Sequence, residues 1–108
     1  MEKINIKYNP EVINYLNQLT FILFEKDYFS YFENSVHYKD KIIDFIDDNI
    51  QHFPFRKTPS KIQQLGSNYI FYQSNQRTTW YVFFDKEGTN YLITSIINNH
   101  SKEAKWLL

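Results

Sequence analysis

The sequence predicts an α+β fold in the order βααβββ, with an antiparallel helix hairpin packed on one face of a twisted, mainly antiparallel four-stranded sheet. Three observations lead there. Two successive stretches between residues 10 and 52 place apolar residues at helical spacing. Residues 3–8 and 69–100 alternate with a period of two instead, and the second of these is dense in aromatic and β-branched side chains. Short turn signals divide 69–100 into three strands.

Taken in order, residues 3–8 set Ile4, Ile6 and Tyr8 on one side and Lys3, Asn5 and Lys7 on the other, as a half-buried strand does. The lysines suit a sheet edge, where charge discourages stray pairing. Asn9-Pro10 is a helix start, because Asn can cap free amides and Pro at the first helical position gives up a donor that had no partner. A helix over 10–26 follows, with Val12, Leu16, Leu19 and Leu23 on a stripe that Tyr15 and Ile22 widen. Asp27, Tyr28 and Phe29 break it, and Ser30 with Glu33 fits a capping box for a second helix. That helix runs to about His52, with Phe32, Val36, Ile43, Ile46 and Ile50 along one face and Asp40, Asp44, Asp47 and Asp48 outside it. Phe53-Pro54 ends it. Residues 53–68 then lose periodicity and read as a loop with room for one helical turn. Arg56, Lys57 and Lys61 there are either a solvated connection or a phosphate-contacting loop.

The last strands carry the geometry. A four-residue loop, Lys86-Glu87-Gly88-Thr89, sets Asp85 opposite Asn90, and stepping back along both strands pairs Arg77 with Asn98. His100 then lies diagonally about 7–8 Å from Arg77 on the same face. In this register Thr78, Trp80, Val82 and Phe84 join Tyr91, Ile93, Ser95 and Ile97 beneath the helices. Arg77, Thr79, Tyr81 and Phe83 join Leu92, Thr94, Ile96, Asn98 and His100 on the other face, and a two-residue turn near Asn75 adds Tyr72 and Ile70 to it. A shift of one residue in the loop reverses the relation between Arg77 and His100.

Composition narrows the function. The 108 residues form one domain, residues 1–108, and 43% hydrophobic and 19% aromatic content excludes disorder. Twelve basic residues balance twelve acidic ones, so any nucleic-acid site is local rather than a property of the whole field. The lack of cysteine excludes disulfides, thiolate catalysis and cysteine-zinc sites and fits a reducing compartment. No stretch has the apolar length of a membrane span or the apolar core of a signal peptide, so a cytoplasmic protein is expected.

An arginine, an imidazole and a phenol on one surface suit in-line cleavage of RNA. Arg77 can stabilise the added negative charge of the phosphorane-like transition state. His100 can take the proton of the ribose 2′-hydroxyl or protonate the leaving 5′-oxygen. Tyr72 or Tyr81 can stack on a base or orient the phosphate, and Asn98 and Asn99 can donate hydrogen bonds. No metal or other cofactor is required. Each residue also has a plainer role, as a surface ion-pair partner, a solvated terminal His or a packed strand Tyr.

The βααβββ order, the strand beginning RTTWYVFF and the final strand ending IINNH resemble the RelE/ParE superfamily of type II toxin–antitoxin toxins. The likeness spans most of the chain, and its distinctive parts are Arg77 and the Asn98-Asn99-His100 segment. The resemblance implies a small toxin neutralised by a cognate antitoxin. Ribonuclease members cut mRNA on the ribosome with a metal-free site on the open face of the sheet; Arg77 matches their strand arginine, and His100 lies near the position of a last-strand catalytic residue. Their strand before the arginine tends to be basic, whereas this one reads YIFYQSN, which makes Arg56, Lys57 and Lys61 the candidates to supply that charge. ParE-type members share the fold but inhibit DNA gyrase. A third reading is a catalytically degenerate member that binds a protein partner through exposed aromatics such as Tyr72, Tyr81 and Phe83.

Overall fold

The computed structural model describes residues 3–25, 32–74 and 76–107. Its elements are β1 (Asn5–Tyr8), α1 (Pro10–Glu25), α2 (Phe32–Asn49), β2 (Arg56–Lys57), a 3₁₀ segment (Ser60–Leu65), β3 (Asn68–Gln73), β4 (Thr79–Glu87), β5 (Asn90–Asn98) and a second 3₁₀ helix (Lys102–Trp106). The expected α+β class and helix hairpin are present. The sheet has five strands rather than four, in the order β1-β5-β4-β3-β2, with β1 parallel to β5 and the remaining pairs antiparallel. No helix among the described residues is long and apolar enough to cross a membrane.

Local chemistry accounts for the first half. The Asn9 side chain accepts the Glu11 amide at 3.2 Å, and the Asn9 carbonyl accepts the amides of Val12 and Ile13, so α1 starts at Pro10. Its buried stripe is Val12, Leu16 and Leu19. The expected Ser30 cap lies outside the described residues. Among the described side chains of α2, Ile42 and Ile46 are buried, as is Ile50 just past its end, while Ile43 is only half-buried, so the stripe runs through Ile42 rather than Ile43. Both helices pack on a sheet face built from Ile70, Trp80, Val82, Phe84, Tyr91, Ile93 and Ile96.

Two details set a register different from the expected one. The β4–β5 turn is shorter, Gly88-Thr89, with Gly88 at φ 60°, so Glu87 rather than Asp85 faces Asn90. A bulge then intervenes: Phe84 pairs with Ile93 but Phe83 with Ser95, leaving Thr94 as the extra residue. One added residue exchanges the faces of everything after it. Ile96 therefore turns toward the helices where Ser95 was expected, and Asn98 pairs with helix-facing Trp80 rather than with Arg77, so the pairing expected to set Arg77, Asn98 and His100 on one face is absent. At the other hairpin, Tyr72 pairs with Trp80, which puts Tyr72 on the helix side. The connection from 74 to 78 is longer than the two-residue turn expected, and the Ser74 amide closes it on the Thr78 carbonyl at 3.0 Å.

The opposite face of the sheet is not open along its length. Ile62 and Leu65 from the first 3₁₀ segment and Ala104 and Leu107 from the C-terminal one cover Tyr69, Tyr81 and Phe83 in a second apolar core. The Thr94 hydroxyl, freed by the bulge, donates to the Leu65 carbonyl at 2.6 Å and ties this layer down. Gly66 makes the approach possible: a Cβ there would fall 2.3 Å from the Thr94 hydroxyl oxygen and 2.9 Å from the Phe83 Cβ. The chain is thus layered as helices, sheet and 3₁₀ cover.

Candidate functional site

Where the 3₁₀ cover stops, a cavity of about 210 Å³ remains between β2, β3, β4 and Leu107. Its charged group is Arg56, which β2 places beside Tyr69 by direct pairing. The guanidinium carbon stands 5.4 Å from the ring centroid of Phe71, a cation–π distance, and Phe71 lines the same cavity. Tyr69 and Tyr81 form the inner wall, their rings edge to face at 6.1 Å. Gln73 and Thr79 add an amide and a hydroxyl at the strand ends. Burial raises the Tyr81 phenol above the ordinary tyrosine range, and neighbouring Tyr69 adds to the rise. Tyr81 is therefore a neutral hydrogen-bond donor near pH 7.

Asn99 shapes the rim. Its amide N–H donates to the Thr79 carbonyl at 3.0 Å, its side-chain oxygen accepts the Thr79 amide at 2.9 Å, and its side-chain nitrogen donates to the Arg77 carbonyl at 3.0 Å. Asn99 thus binds this chain's own backbone, whereas the sequence pointed to a donor for substrate. In effect it extends the β4–β5 ladder by side chain and holds Arg77 and Thr79 beside the cavity. His100 follows in an exposed turn, its amide donating to the Asn98 side-chain oxygen at 2.9 Å. Arg77 is exposed at the same end of the sheet.

The expected residues therefore divide. Arg56 and Tyr81 line the cavity, and Arg77, Asn99 and His100 lie at the adjacent sheet end. Tyr72 does not join them: it stacks on Phe45 of α2 at 4.9 Å and 22° on the far side of the sheet. The cause is the longer 74–78 connection, which changes which face Tyr72 occupies. The basic trio also separates. Lys57 pairs with Asn68, whose row continues to helix-facing Phe84, whereas Arg56 and Lys61 stay with the 3₁₀ cover. Tyr81 and Phe83 are 7% and 0% exposed, so neither is the exposed docking aromatic that the third sequence reading required.

Tyr69 and Gln73 were not singled out from the sequence, and Thr79 was placed on this face without a role. Their signal was the period-two phase of β3 and β4, which becomes readable only after the length of the 74–78 connection is known. Searches against protein-family models, curated proteins and solved structures found no significant match for this chain.

Proposed function

We propose that this chain is the toxin of a type II toxin–antitoxin pair, of RelE/ParE type, which cleaves mRNA in the cytoplasm and so inhibits translation, on the ribosome or off it. The observation that carries the reading is the cavity that sets the Arg56 guanidinium opposite the neutral Tyr81 phenol. The RTTWYVFF and NNH segments support the toxin class, and a cognate antitoxin would then mask this end of the sheet.

The chemistry asked of the site is transfer within RNA. The ribose 2′-oxygen loses its proton and attacks the adjacent phosphorus, the bond to the 5′-oxygen breaks, and that oxygen takes up a proton, leaving a 2′,3′-cyclic phosphate and a free 5′-hydroxyl. Arg56 holds a permanent charge that can pair with two phosphoryl oxygens as negative charge builds on them. Tyr81 can give its proton to the leaving 5′-oxygen, because a departing alkoxide is far more basic than a phenol, even one whose pKa burial has raised. His100, from the rim, is the imidazole available to take the 2′-hydroxyl proton. Arg77 adds a second exposed cation at the same end of the sheet.

The test is cleavage of a defined mRNA by the purified chain, with and without ribosomes, read by mapping new 5′ ends. Arg56→Ala and Tyr81→Phe are each expected to slow cutting by about 100-fold or more, as removal of a charge stabiliser or a positioned acid does. His100→Ala and Arg77→Ala test the rim. Wild-type cutting by the Arg56→Ala/Tyr81→Phe double variant would remove the cavity from the mechanism. Intact mRNA with induction of the DNA-damage response would instead move the target to DNA gyrase.

A further inference from the structure

Beside the cavity, on its Leu107 side, stands a feature that the cleavage chemistry does not use. Trp106 is 43% exposed although it belongs to a helix whose Ala104 is buried in the second core. Two ammonium groups flank it: Lys105 Nζ is 5.1 Å from the ring centroid, and Lys61 Nζ, from the other 3₁₀ segment, is 5.7 Å away. Arg56 is nearby across Leu107, which lines the same cavity. This basic cluster contrasts with the acidic outer side of α2, where Asp40, Asp44, Asp47 and Asp48 are exposed or nearly so.

We propose that Trp106 is a stacking platform for a base of single-stranded RNA, with Lys61 and Lys105 holding the phosphates on either side of it. The proposal deepens the ribonuclease reading and rests on it for the choice of ligand. A solvent-facing indole offers a flat surface to any base, and aromatic platforms set in basic surroundings are how proteins hold unpaired strands without sequence preference. The two ammonium groups already lie against the ring, a weak arrangement in water. A base that stacks on the indole displaces an ammonium from the ring face and brings a phosphate within its reach. The strand then continues past Leu107 to Arg56 and Tyr81, so the indole fixes which phosphodiester enters the cavity.

The protein supplies its own reporter. Of its two tryptophans, Trp80 is 1% exposed, so quenching by ligand reports on Trp106. The probe is a short single-stranded oligouridylate with 2′-O-methyl sugars, which cannot be cut, so binding is read apart from cleavage. Wild-type fluorescence should fall on titration. By anisotropy of a labelled copy, Trp106→Leu should bind about 5- to 100-fold more weakly and Trp106→Phe within a few-fold of wild type. Lys61→Gln with Lys105→Gln should lower the slope of log affinity against log salt by about 1–1.5. Equal binding by wild type and Trp106→Leu, or no quenching at saturation, overturns the platform. So does equal quenching by polyglutamate, which would mark a surface selective for charge alone. Binding through Trp106 by a chain that cuts no mRNA would sink the ribonuclease reading and leave the platform standing. Cutting by a chain that ignores the oligomer would do the reverse.

Discussion

Gly66→Ala should be the most damaging single-methyl change in the molecule. Gly66 has φ 150° and ψ 164°, a region that side-chain-bearing residues essentially avoid, at a cost of about 1–3 kcal/mol. The added carbon would also sit 2.3 Å from the Thr94 hydroxyl oxygen, 2.9 Å from the Phe83 Cβ and 3.1 Å from the Phe84 amide nitrogen. Two of these neighbours are close to the backbone and cannot swing away, so relief requires the 3₁₀ segment to lift from the sheet. Overpacking of this kind adds about 1–3 kcal/mol, which brings the expected loss to about 2–6 kcal/mol, a large share of a small domain's stability. Gly88→Ala is the control, since Gly88 also has positive φ but nothing lies within 4 Å of its added carbon; backbone strain alone should cost it about 1 kcal/mol. The assay is urea unfolding of both variants beside wild type, followed by far-UV circular dichroism and tyrosine fluorescence. If Gly66→Ala unfolds at the same urea concentration as Gly88→Ala, the close contact between cover and sheet does not exist as described.

Other outcomes follow from single groups. The Tyr8 hydroxyl is buried without a hydrogen-bond partner among the described residues, so Tyr8→Phe should raise stability by about 1 kcal/mol in urea unfolding. Burial, with Asp47 adding to it, pushes the Tyr8 phenol from 10.0 to about 12. Below pH 10 both states keep the proton; between pH 10 and about 12 the unfolded chain ionises first, so stability falls as pH rises, and Tyr8→Phe should remove that share of the fall. Asn99→Ala removes two side-chain hydrogen bonds and should cost about 1–3 kcal/mol, with faster amide exchange at Thr79. Asn99→Asp keeps the acceptor for the Thr79 amide and should preserve its protection while losing the tie to Arg77.

The fold was legible wherever the decisive interactions were local. The Asn9 cap, the α1 stripe and the alternation of β1 all lie within a few residues of their cause, and the structure agrees with each. The register of β5 was not legible, because its cause is distant: Thr94 leaves the ladder to reach Leu65, 29 residues back in the chain. The local trace of that bulge is that Ile93 and Ile96 both pack against the helices. Strict alternation has no place for two same-face residues at an odd spacing, and this pair was the available warning. The 3₁₀ cover is harder still. Its sequence, SKIQQL, has a single buried residue, Ile62, so no periodicity marks it. For the site, the open-face location was approachable and Tyr81 fell where expected, whereas Tyr72 was lost to one uncertain connection. Asn99 was noticed as chemistry and proved to be scaffolding.

The parallel pairing of β1 with β5 has a consequence for synthesis. Asn5 finds its partner Asn90 85 positions further along the chain, and the covering Leu107 comes later still. Emerging from the ribosome, the first strand and both helices must wait with an apolar flank uncovered, and contacts of such long separation form slowly once they can. A pause in translation before the codons of β5 would therefore leave an intermediate with β1 unpaired and one edge of β4 open, without the Leu107 wall of its cavity and exposed to proteolysis.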